Sequence, residues 1–170
     1  MTSANPNVQM VEVVAQAPGE LCDELVLVGG CAAGLLCTSP NAPPPRITYD
    51  VDVVAEVAGL VAYHAMEKQF SMRGFSRDMS PDAPICRWRL GEVEVDLMPT
   101  EECILGFANR WYPLAITSAS PVSLPSLRNT WFLASMRLRD IQILKIHCRG
   151  WWCTTSCMRT EYAGCVSVSV

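Results

Sequence analysis

The chain has 170 residues, half of them hydrophobic and 18% charged, with a net charge of −4. That is enough chain to build one well-buried core, and the acidic balance argues against a dedicated nucleic-acid binder while leaving room for a local basic groove. Met1-Thr-Ser-Ala-Asn-Pro6 lacks the basic start and apolar core of a secretory leader, and no apolar run reaches the ~18 residues of a membrane span, so a cytoplasmic protein with no membrane partner is expected.

In chain order, residues 8–15 read as a short helix that stops near Pro18. Leu25-Val-Leu-Val-Gly-Gly30 is a buried strand, 25–29, running into a double glycine, and 30–37 begins a helix. A strand–Gly–Gly–helix junction lets backbone approach a phosphate and aims helix N–H groups at it. It is also an ordinary way to make a tight turn, and it has neither the Walker nor the dinucleotide spacing. Ser39-Pro-Asn-Ala-Pro-Pro-Pro45 is a stiff, extended loop that delivers Arg46, Ile47 and Thr48 to the next strand, 48–55. Residues 60–72 have helical spacing of Leu60, Ala62, Tyr63, Met66 and Phe70, with Gly74 just past the end. A strand at 85–90, a turn at Gly91 and a strand at 92–98 form a hairpin. Helix, strand, helix, strand, helix, hairpin predicts an α+β domain with a mixed sheet flanked by helices.

The chemistry concentrates in the strands. In Thr48-Tyr-Asp-Val-Asp-Val-Val54, alternation puts Asp50 and Asp52 on one face and Val51 and Val53 on the other. Carboxylates this close repel and raise each other's pKa unless a cation lies between them. A hard divalent cation is the common remedy, and a solvated polar face is the plain alternative. Glu92, Glu94 and Asp96 share one face of the last strand. Asp96, near its end, could be brought beside Asp50 and Asp52 by sheet pairing, whereas Glu92 and Glu94 read as a solvated face. Arg46, Thr48, Arg87 and Arg89 are candidate partners of a nucleotide, since Arg offers planar bidentate contacts to phosphate. For Arg89 a cross-strand ion pair with Glu92 is the alternative.

Gly29-Gly30 after a strand, Asp50-x-Asp52 on the next and Asp96 on a later one resemble, in that order, the DNA polymerase β-type nucleotidyltransferase superfamily. More narrowly, Leu27-Val-Gly-Gly-Cys-Ala32, Arg46-x-Thr48-x-Asp50-Val-Asp52-Val-Val54, Ala83-Pro-Ile-Cys-Arg-Trp88, Val95-Asp-Leu-Met-Pro-Thr100 and Gly106-Phe-Ala-Asn-Arg-Trp-Tyr112 resemble AbiEii-type abortive-infection toxins. The likeness runs from about residue 20 to about 134. It implies a minimal nucleotidyltransferase fold, with Asp50, Asp52 and Asp96 as catalytic metal ligands for one or two Mg²⁺ ions. It also implies an NTP substrate held by Gly29, Gly30, Arg46, Thr48 and Arg87, an RNA or protein acceptor, and an antitoxin partner. Many superfamily members have Gly-Ser where this chain has Gly29-Gly30, so here only backbone N–H groups are left to touch phosphate.

The domain is expected to span residues 1–127, and 128–170 to form an atypical tail. From Arg128 onward there are six basic and two acidic residues, four of the nine cysteines and three of the five tryptophans. The resembling family usually continues after a Phe-Leu-Ala-Thr segment with a lysine and an acidic helix. Here Phe132-Leu-Ala-Ser135 leads into Met136-Arg-Leu-Arg139, and nothing later matches. A reading frame shifted near residue 135, or a degraded copy, would account for this and would leave an inactive remnant or a binding module. A genuine basic tail that stacks Trp on nucleic acid is the alternative.

His147, Cys148, Cys153 and Cys157 lack the paired Cys-x2-Cys spacing of common zinc modules. His64 reads as a surface or boundary residue. The odd cysteine count cannot pair fully within one chain, and Cys22, Cys31, Cys37, Cys86 and Cys103 read as small buried hydrophobes in a reducing compartment.

Overall fold

The computed structural model describes residues 6–36, 46–123 and 130–134. In chain order these form α1 (Pro6–Gln16), a 3₁₀ turn (Gly19–Glu24), β1 (Leu25–Val28), α2 (Gly29–Leu36), β2 (Asp50–Ala55) and α3 (Leu60–Met72). Then come β3 (Ser76–Arg77), β4 (Arg87–Leu90), β5 (Val93–Pro99), α4 (Glu102–Leu105), α5 (Tyr112–Thr117), β6 (Ala119–Ser123) and β7 (Thr130–Ala134). The strands make one sheet in the order β3-β4-β5-β2-β1-β7-β6. The β2–β5 and β1–β7 pairs are parallel and the others antiparallel. This is the expected α+β domain with a mixed sheet flanked by helices.

Alternation along the central strands divides the core in two. Leu25, Leu27, Val51, Val53, Val95, Leu97 and Trp88 pack with Val11 and Val14 of α1, Cys31 and Ala32 of α2, and Tyr63, Met66 and Phe70 of α3. Val26, Val28, Val54 and Met98 pack on the opposite face with Tyr112 and Ala115 of α5. Every residue of β1 and β2 is buried, as expected of strands covered on both sides. α3 has the predicted limits, because Tyr63, Met66 and Phe70 lie on one helical face and Gly74, at φ +89°, supplies the left-handed turn after it. The Tyr63 hydroxyl donates to the Leu97 carbonyl (2.9 Å), and Phe70 meets Phe75 and Trp88 at ring separations of 4.5 and 5.7 Å. These contacts seat α3 under β4 and β5.

Some limits differ from the sequence reading. Gly29 opens α2 rather than closing β1, and β2 begins at Asp50 rather than at residue 48. β4 begins at Arg87 because the Arg87 N–H closes a turn onto the Pro84 carbonyl. Glu92 falls in the hairpin turn, where Gly91 has φ +59°. β3, α4, α5 and β6 had no clear signal in the pattern, and β7 lies beyond the residue-127 limit expected for the domain. The proline loop, Cys37 and residues 135–170, including the tail His/Cys group, lie outside the described residues.

Cys22, Cys31 and Cys86 are buried as expected, but Cys103 is exposed. It precedes Ile104, the residue of the short α4 that turns into the core, so Cys103 faces outward. His64 is exposed on α3 and pairs with Glu67. Among the described residues no helix is long and apolar enough to cross a membrane.

Candidate metal centre

The register of three strands builds the site. Asp50 lies opposite Glu94 and Asp52 opposite Asp96 across the parallel β2–β5 pair, while Arg87 faces Asp96 and Arg89 faces Glu94 across β4–β5. One step along, Val54 pairs with Met98, and these two carry the apolar patch under α5. One face of the sheet is thus apolar at one end and charged at the other.

One carboxylate oxygen from each of Asp50, Asp52 and Asp96 lies within 4.8 Å of the others. The three residues are 4%, 5% and 1% exposed. Burying ionised carboxylates is costly unless they are paired or coordinated. Thr48 Oγ1 donates to Asp50 Oδ1 at 2.6 Å. Arg87 meets Asp96 side-on, Nε to Oδ1 at 2.8 Å and Nη2 to Oδ2 at 2.9 Å. The same guanidinium reaches Glu94 Oε2 (2.9 Å) and lies 3.5 Å from Asp50 Oδ2. The hydrogen bond to Asp96, outweighing burial, holds the Arg87 pKa above even its usual high value, so the group stays cationic.

Gly29 closes the site from the β1–α2 junction. Its φ is +74°, and a Cβ there would fall 1.9 Å from Asp52 Oδ2. The N-terminus of α2, whose first N–H groups have no partner within the helix, therefore begins against the Asp52 carboxylate.

The expected residues divide into groups. Asp50, Asp52 and Asp96 come together, Gly29 packs on Asp52, and Gly30 follows it in the first turn of α2. Thr48 is bonded to Asp50 rather than standing apart from the triad. Arg87 sits inside the carboxylate cluster. Arg46 is exposed, and its backbone is what the structure holds: Asn7 Nδ2 donates to the Arg46 carbonyl (2.9 Å) and the Thr48 N–H donates to Asn7 Oδ1 (3.1 Å).

Two contributors depart from the sequence expectation. Asn7, fully buried in α1, clamps the entrance to β2. Asparagine at the start of a helix suggests an end-cap rather than a strand clamp, so the pattern held no sign of it. Glu94 is not part of a solvated face but a shared partner of Arg87 and Arg89. Arg89 pairs with Glu94 (3.3 Å) and lies 3.8 Å from Asp78, not with Glu92, because the register places Glu92 in the turn. Glu92 is exposed as expected.

This donor set suits a hard cation. All the ligand atoms are carboxylate oxygens, the preference of Mg²⁺, Mn²⁺ and Ca²⁺. Carboxylates outnumber guanidinium groups here, so a divalent cation would relieve repulsion that Arg87 balances only in part.

No protein-family model matches the chain, and no curated protein matches it. Among solved structures it is similar to ANT(2")-Ia in complex with adenylyl-2"-tobramycin, at 15% identity over 73% of this chain and 68% of that one, with a TM-score of 0.43.

Proposed function

We propose that this chain is a metal-dependent nucleotidyltransferase that moves a nucleotide from an NTP to a hydroxyl of an RNA or protein acceptor. The observation that carries the reading is the convergence of Asp50, Asp52 and Asp96, from two adjacent parallel strands, against the Gly29 turn that opens a helix.

Asp50 and Asp52 would hold Mg²⁺, with Asp96 completing the ligand set. The ion would supply positive charge to the triphosphate. Thr48 fixes the Asp50 carboxylate, and Asn7 fixes the segment that carries Thr48. The α2 N-terminus at Gly29 and Gly30 would offer backbone N–H groups to phosphate oxygens. Arg46, two residues ahead of Thr48, would add positive charge from the rim, and Arg87 would do so from within the cluster. In the transfer, the acceptor hydroxyl loses its proton to solvent as its oxygen bonds to the α-phosphorus, the α–β bridging P–O bond breaks and pyrophosphate leaves. Positioning and charge neutralisation carry most of this chemistry. The antitoxin partner, and a toxin role, rest on the sequence resemblance of residues 20–134 alone.

The test is incubation of the full chain with each labelled NTP, Mg²⁺, and RNA or protein acceptors, beside Asp52→Asn. Label should move to an acceptor with the wild type and not with the variant, at equal circular dichroism. Transfer by neither protein, or equal transfer by both, overturns the reading.

A further inference from the structure

We propose that Arg87 is a resident cation of the carboxylate centre, standing in for a second divalent ion, so that the site takes one metal ion and not two. The inference deepens the metal-dependent reading and rests on it. The guanidinium does not lie at the rim. Its side chain is 13% exposed, and it touches Asp96, Glu94 and Asp50 at once, with two of the triad's three carboxylates among them.

Its engagement with Asp96 is side-on and uses both oxygens. A carboxylate oxygen has lone-pair capacity for more than one partner. Asp96 can therefore still give one bond to an ion shared with Asp50 and Asp52. It cannot chelate, and a second ion between Asp96 and Asp50 would meet the positive guanidinium where Nη2 now lies.

The backbone keeps Arg87 in this place. It is directly opposite Asp96 in the β4–β5 ladder, its carbonyl accepts from the Asp78 N–H (3.1 Å), and the following Trp88 is buried against Phe70. A guanidinium cannot lose its proton in a protein, so this positive charge is permanent and needs no free metal. The same two-point contact holds the Asp96 carboxylate in one orientation.

Counting Mn²⁺ ions per chain by electron paramagnetic resonance titration, with Mn²⁺ alone as probe, tests this. The wild type should bind one ion. Arg87→Met, which keeps the stem and removes the charge, should bind two, and Arg87→Lys should stay at one. Two ions in the wild type overturn the proposal even if no variant folds, and so does a folded Arg87→Met chain that still takes only one. No ion in the wild type overturns the metal-dependent reading as well, which separates the two failures.

Discussion

Gly29 and Asp52 compete for one volume: a Cβ on Gly29 would lie 1.9 Å from Asp52 Oδ2 and 2.8 Å from its Cγ. The left-handed backbone at Gly29, φ +74°, adds strain for any other residue. Gly29→Ala should therefore cost about 1–2 kcal/mol of stability from the backbone alone. It should also push the Asp52 carboxylate out of the triad. Urea unfolding reads the first effect and loss of Mn²⁺ binding the second. Unchanged Mn²⁺ affinity would show that Asp52 is not a ligand.

The three clustered carboxylates make a signed prediction about metal removal. In EDTA, Asp52→Asn should melt at or above the wild-type temperature, because one of three repelling charges is gone. With Mg²⁺ the order should reverse, since an ion that binds only the folded chain adds about 2.7 kcal/mol at one hundred times its dissociation constant. Differential scanning calorimetry with and without Mg²⁺ measures both. A Mg²⁺-induced rise of equal size in the two proteins would contradict the metal centre.

Asn7→Ala removes two hydrogen bonds to the segment before β2 and leaves the Thr48 N–H and the Arg46 carbonyl without them. The expected loss is about 2 kcal/mol. Because Thr48 in turn holds Asp50, nucleotide transfer should fall even under conditions where the variant is fully folded. Chemical denaturation and transfer rate at low temperature separate the two effects.

Tyr63 links α3 to the Leu97 carbonyl, next to Asp96, and burial, followed by the nearby Glu67, holds its phenol well above its ordinary value of 10.0. In the unfolded chain the phenol loses its proton near pH 10, while in the folded chain it does not. The stability contributed by Tyr63 is thus whole below that pH and is lost as pH rises toward the folded pKa. Tyr63→Phe should cost about 1 kcal/mol at pH 7. It should also flatten the fall in stability above about pH 10, as followed by urea midpoints across pH.

Local pattern alone placed several features of this protein. A period of two put Asp50 and Asp52 on one face and Val51 and Val53 on the other, and both sets lie as expected. Helical spacing from Leu60 to Phe70, with Gly74 beyond, was enough for the limits of α3. These properties depend on neighbours in the chain, where side-chain direction follows directly from backbone geometry. Strand order and register depend on distant packing. Alternation along 92–98 gave Asp96 a face but could not say that β5 would lie parallel to β2 with Asp52 opposite Asp96. It could not show that Arg87 would meet Asp96 across the hairpin and enter the triad instead of facing outward. Nor could it place Asn7, some forty residues upstream, against the entrance to β2. The sequence by itself determined which residues are carboxylates on strands. Tertiary structure decided that they share one buried space with a guanidinium, because only the docking of α1, α3 and the β4–β5 hairpin sets which strands pair and in what register.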